Sequence, residues 1–242
     1  MKKLFCLAFA VLFCAPAFYA QGAETPEPAD SETSVVYAED VIEEKTSHSL
    51  DWILSFAPAF LLNTGDVKKT APSPIVYPFS LGIAFPAEAF VSFQPRISIF
   101  TNYLLWYDGD AYPAEIENRT ATAFCFLLDF PAVFKYEPSA RHLFEGGAGV
   151  SFLCRFAKIS NGVSGSDEGY SGSASGDVDE INKWFWKDAN FLFFMLSASY
   201  LFTFSGKIKA GPEFRCYFPC GSLFSGNGMN NAMFAAGVKL RF

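Results

Sequence analysis

What the chain lacks narrows it first. Past the N-terminal segment there is no apolar run near the ~20 residues that a bilayer-spanning helix requires. Histidine occurs only at His48 and His142, neither with a nucleophile and an orienting acid in recognisable spacing. Zinc-ligand spacing is missing as well. We therefore expect no catalytic residue, no metal site and no cofactor. Basic residues are the minority, 18 Lys and Arg against 25 Asp and Glu. The net charge of −7 argues against a nucleic-acid partner, since such binding rests on basic patches. The 6 cysteines in 242 residues are too sparse for a disulfide-built scaffold. Cys6 and Cys14 fall in the N-terminal segment. Cys125, Cys154, Cys216 and Cys220 read as small apolar side chains, with a Cys216–Cys220 bridge as the other option.

What is abundant is apolar and aromatic: 51% hydrophobic residues, 18% aromatic, 29 of them Phe. They are spread in alternation rather than gathered in runs. The exception is the start, where Lys2 and Lys3 precede an apolar stretch from Leu4 to Phe13 and the small residues Ala15, Ala17 and Ala20. Residues 1–20 thus read as a secretory signal peptide, cleaved after Ala17 or Ala20. Bulky Phe13 before Cys14 speaks against lipidation. Residues 21–48 carry Pro26, Pro28 and a string of acids from Glu24 to Glu44, and read as a mobile periplasmic leader. Residues 49–242 then form one domain.

From Leu50 the apolar residues recur with period two, the signature of half-buried strands. The first segment sets Trp52, Leu54, Phe56 and Phe60 against Asp51, Ser55, Ala57 and Ala59. Later segments repeat the scheme: Ile75 to Phe85, Val91 to Tyr103, Thr122 to Phe134, Phe144 to Phe156, Leu192 to Phe202, Ile208 to Phe218, and Phe234 to Phe242. Eight strands result. Turn-rich connections at 64–73, 108–118, 159–189 and 219–230 are long; those between are short. The reading is all-β: an eight-stranded antiparallel up-and-down transmembrane β-barrel with both ends on the short-turn, periplasmic side.

The face carrying the bulk must point outward. Each strand presents about five or six large apolar residues, roughly forty in all, whereas an eight-stranded interior just holds ordinary side chains. In water such an exterior would aggregate, so lipid is its solvent. Trp52 at one edge and Trp106, Tyr107, Trp184 and Trp186 at the other fit aromatic girdles. Pro58, Pro78, Pro95, Pro131 and Pro212 each remove a ladder donor, and bulges are expected to absorb them.

Over about residues 50–242 the chain resembles the small eight-stranded outer membrane barrels, the group of the OmpA membrane domain, OmpX and OmpW. The last residues resemble that family's C-terminal assembly signal at Gly237, Leu240 and Phe242, although Ala235 departs from its polar first position. The resemblance implies an integral protein of the bacterial outer membrane, surrounded by outer membrane lipid, with Phe242 read by the barrel assembly machinery.

Two sets of inward residues are candidates for function. Toward the periplasm lie Asp51, Arg96, Asp129, Glu145, Lys207, Lys209, Glu213, Lys239 and Arg241, expected to form a salt-bridged plug or gate. Toward the exterior lie Leu61, Val76, Phe100, Leu104, Leu153, Phe191, Phe193, Met195 and Met233, an apolar mouth that a small hydrophobic solute could use. The OmpW resemblance implies passage of such compounds. The loop at 159–189, rich in Gly, Ser and acids such as Asp167, Glu168 and Asp177, reads as a solvated, flexible surface loop. A structural, surface-exposed barrel is the leading expectation, and a hydrophobic-solute channel the alternative.

Overall fold

The computed structural model describes residues 50–65, 68–206, 208–221 and 229–242. The signal peptide, the acidic leader, His48 and Lys207 lie outside them. Strands β1 (Asp51–Phe56) and β2 (Ala59–Leu61) form one stave. A second is built from β3 (Ile75–Val76) and β4 (Phe79–Ala84), and a third from β5 (Val91–Phe93) and β6 (Arg96–Tyr107). A short β7 (Asp110–Pro113) folds back on β6 as a hairpin in the connection that follows. The remaining staves are continuous: β8 (Ala121–Ser139), β9 (His142–Ile159), β10 (Leu192–Ser205), β11 (Ile208–Pro219) and β12 (Met233–Arg241).

Every neighbouring pair is antiparallel, and the last stave returns to the first. Ile53 faces Arg241 and Phe56 faces Val238; past the break, Ala59 faces Ala235 and Leu61 faces Met233. Trp52 and Phe242 exchange backbone hydrogen bonds of 2.8 and 3.1 Å, sealing the lower edge. The ring of eight staves is closed.

The period-two pattern sorts side chains across this wall. Trp52, Phe56, Phe79, Ile99, Phe124, Phe144, Phe214 and Val238 stand exposed on the outside, whereas their chain neighbours Ser55, Ser80, Ser98, Glu145, Glu213 and Lys239 are buried inside. No aqueous exterior would tolerate that outer belt, so it faces hydrocarbon.

The prolines are absorbed differently from expectation. Pro58, Pro78 and Pro95 sit in the breaks of the first three staves, yet the pairing before and after each break keeps one register. Each proline lacks a donor but keeps its carbonyl: Pro58 O accepts from Ala236 N at 3.1 Å, Pro78 O from Ala57 N at 3.3 Å, and Pro95 O from Ile83 N at 3.1 Å. Pro131 and Pro212 stay in register within β8 and β11. The register shifts fall instead near the turns, at Tyr136/Ser139 and Thr203/Ser205. Glycine on the adjoining stave makes this possible. A Cβ on Gly149 would lie 2.6 Å from Pro131 Cα, and one on Gly237 would overlap the Phe56 carbonyl beside Pro58.

The connection after β9 departs most from its expectation. Residues Ala174–Trp186 form a helix, α1, followed by a single 3₁₀ turn at Lys187–Ala189. Ser173 is its N-cap, its hydroxyl accepting from Gly176 N at 3.1 Å. Val178, Ile181, Trp184 and Phe185 follow helical spacing and are all buried. Asp177, expected in a solvated loop, is buried and accepts the backbone N–H of Tyr170 and Ser171 at 3.1 and 2.7 Å.

Candidate functional site

The interior divides into a charged lower part and an apolar upper part. Below, Glu145 on β9 gathers four donors: Lys239 Nζ at 2.5 Å, Arg241 Nη1 at 2.9 Å, Gln94 Nε2 at 3.1 Å and Ser199 Oγ at 2.9 Å. Arg241 also reaches Asp51 with its Nε at 2.7 Å. Its Nη2 donates to Ala87 O at 2.5 Å, where Lys135 Nζ donates too, at 2.6 Å. The short turn after β4 is therefore tucked under the lumen as a floor.

At mid-height Arg96 on the third stave forms an ion pair with Glu213 on the seventh, four places around an eight-membered ring. The contact spans the lumen. Sequence reasoning places Arg96 level with Asp129, and the two are register partners between β6 and β8. Asp129 nevertheless takes its own partners: Ser151 Oγ at 2.7 Å, Tyr217 OH at 2.9 Å and Arg215 Nη1 at 3.6 Å. Arg215 in turn donates to Ser80 Oγ, which lies 2.7 Å from Ser98 Oγ. Charges buried so deeply persist only with such partners.

Not every expected member of this set belongs to it. Lys209 pairs with Glu137 at 3.1 Å at the short-turn end, away from the lumen network. Conversely, Arg215, Tyr217, Gln94 and Lys135 are parts of the network that residue-by-residue reasoning missed. Tyr217 was discoverable, since 213, 215 and 217 share one strand face.

The upper interior holds Leu61, Val76, Phe100, Leu104, Leu153, Phe193, Met195 and Met233, each 7% exposed or less, in a single cluster. Phe191 is not among them. It lies just before β10, half-buried, its ring 5.7 Å from Trp186. The cluster is completed by the buried face of α1, so the apolar mouth is covered. Trp184 thereby leaves the outer girdle for the cap, where its Nε1 donates to Asp110 Oδ1 at 2.9 Å on β7. Asn182 ties α1 to β9 through both backbone groups of Ala157, at 2.9 and 3.0 Å. Arg155 stands beneath, with Phe185 and Trp184 rings 4.3 and 5.2 Å from its guanidinium carbon.

The thiols of Cys125, Cys154, Cys216 and Cys220 are all free, so Cys216 and Cys220 do not form a bridge. His142 sits at the short-turn end with its Nδ1 2.7 Å from Tyr200 OH. Gly237, of the C-terminal pattern, occupies the close approach at the barrel seam. Leu240 is half-buried there, and Phe242 is exposed beside Trp52.

No family model and no curated protein matches the chain. Among solved structures it is similar to Neisserial surface protein A at 10% identity and a TM-score of 0.47, covering 79% of this chain and 95% of that one. It is likewise similar to OprG from Pseudomonas aeruginosa, at 8% identity and a TM-score of 0.47 over 81% and 97% of the two chains. The attachment invasion locus protein Ail of Yersinia pestis follows at 6% identity and 0.40, over 81% and 99%. Likeness at this level concerns the course of the chain and no individual residue. The protein's own features speak for themselves. Eight staves closed on one another, an apolar belt outside and charge pairs inside make this a small eight-stranded transmembrane β-barrel.

Proposed function

We propose that the protein is a structural, surface-displaying barrel of the bacterial outer membrane, with its lumen held shut by the ion pairs below and α1 above. The carrying observation is the Arg96–Glu213 pair, which joins opposite walls in an interior that side chains alone can fill. In this reading the long connections face the exterior and are the working part. The short turns face the periplasm, outer membrane lipid surrounds the belt, and Gly237, Leu240 and Phe242 serve as the signal for the assembly machinery. The experiment is solute entry into liposomes carrying the refolded mature chain, with a small polar and a small apolar probe. Tight liposomes with fully inserted protein are the expected result.

A second reading is supported by the apolar character of the upper interior: a channel for small hydrophobic solutes, with α1 as its lid. Entry of the apolar probe, lost on replacing Phe193→Arg or Leu153→Arg, would establish it and overturn the sealed barrel. Failure to insert at all would overturn both.

A further inference from the structure

Arg155 is the anomaly of the interior. Arg96, Arg215, Lys239 and Arg241 each face a carboxylate, and Lys135 donates to two backbone carbonyls, but among the described residues Arg155 has no acid within ion-pair distance. It is buried. Among the described residues its guanidinium makes one hydrogen bond, from Nη2 to Asn190 O at 2.8 Å, and its Nε has no partner. An uncompensated cation in a water-poor interior is costly, and a protein ordinarily pairs it. Trp184 and Phe185 flank it with ring faces, which soften the charge without neutralising it.

Beside Arg155 is a chamber of about 20 Å³, lined also by Asn102, Asn231, Cys125, Phe100 and Phe193. It has room for one particle of roughly water size. Asn102 turns its Oδ1 to the Tyr103 backbone N–H at 2.9 Å, which leaves its Nδ2 donors without a partner among the described residues. Arg155, with its orphaned Nε, and half-buried Asn102 thus line one small space, and no carboxylate does. A buried cation without a counter-ion, beside amide groups that can donate, describes a receptor for an anion. The apolar walls disfavour a strongly hydrated, doubly charged one.

We propose that this chamber binds a small monovalent anion, of halide or formate size, held by Arg155 and Asn102. The anion supplies the charge that Arg155 lacks and fastens the cap through Phe185 and Trp184, which stack on the same guanidinium.

The test uses the full mature chain refolded in nonionic detergent. Chloride-35 resonance broadening is measured at constant ionic strength with gluconate as the balancing anion. Wild-type protein is expected to broaden the line saturably, with bromide and formate reversing the effect. Arg155→Gln should lose at least nine-tenths of the excess width, and Asn102→Leu should weaken binding several-fold while keeping the cation. Should Arg155→Gln fail to fold, Asn102→Leu and the wild-type competition decide the matter. A linear, non-saturating response in the wild type would mean that the chamber holds only water, and would overturn the proposal. So would displacement by octanoate at lower concentration than formate, because the occupant would then be an amphipathic carboxylate with its tail beneath a displaced α1.

Discussion

The lower and upper halves of the same lumen are filled by opposite physics. Below, the interior is filled by charges drawn from at least five staves: Asp51, Arg96, Glu145, Glu213, Lys239 and Arg241 meet because the ring brings their strands around a common axis. Above, the seal is apolar, and much of it comes from a single local segment, α1, laid over side chains that the strands leave facing inward. The lower contacts are buried ion pairs between staves of the wall itself. The upper seal is an accessory, joined to the wall by Asn182, Trp184 and an apolar face. One chain therefore builds one end of its lumen from the wall itself and the other with an added segment.

The sharpest way to break the comparison is to attack the lower half alone. Replacing Glu145→Leu leaves Lys239 and Arg241 facing each other without their shared acceptor, and should cost about 3–5 kcal/mol of barrel stability. Urea unfolding in lipid vesicles, followed by tryptophan fluorescence, would measure it; an unchanged midpoint would mean the network contributes nothing.

In the upper half the expected loss is local. Ile181→Ala removes a fully buried side chain of α1 and should cost about 2–5 kcal/mol of docking free energy. Limited proteolysis should then cut between 160 and 190 while the barrel's own unfolding midpoint stays in place. If both change together, the cap and wall are one cooperative unit and the distinction drawn above fails.

A double-mutant cycle sharpens the charged side further. Arg96→Met and Glu213→Gln should each destabilise, while the pair together loses less than the sum, with a coupling of about 0.5–3 kcal/mol. Additive losses would show that the contact across the lumen is incidental. The smallest effect belongs to the outer surface of the cap. Lys183→Ala removes an exposed partner of Glu180, and no change in protease protection of α1 is expected.

Strand parity was legible throughout, since alternation of Phe and Leu with Ser, Gly and charge can be satisfied only by a wall with different solvents on its two faces. That placed Arg96, Glu145, Glu213, Lys239 and Arg241 inside. The proline positions were legible too, but not their consequence. Whether a missing donor is met by a bulge or by an in-register gap depends on the neighbouring stave, and here Gly149 and Gly237 allow the close approach. Phe191 was misplaced because parity stops having meaning one residue before a strand begins. The helix in the loop was hidden by its Gly, Ser and Asp content, although Ser173 followed by Val178, Ile181 and Phe185 carried a cap and a helical stripe.

By itself, then, the sequence determined which residues face lipid and which face the lumen, because period-two alternation is a local property of an extended chain. Which inward charges meet was decided only by closure. Arg96 finds Glu213 instead of its register partner Asp129, and Arg155 finds no acid among the described residues, because partners across a lumen are set by the geometry of the ring. Adjacency in the chain carries no record of it.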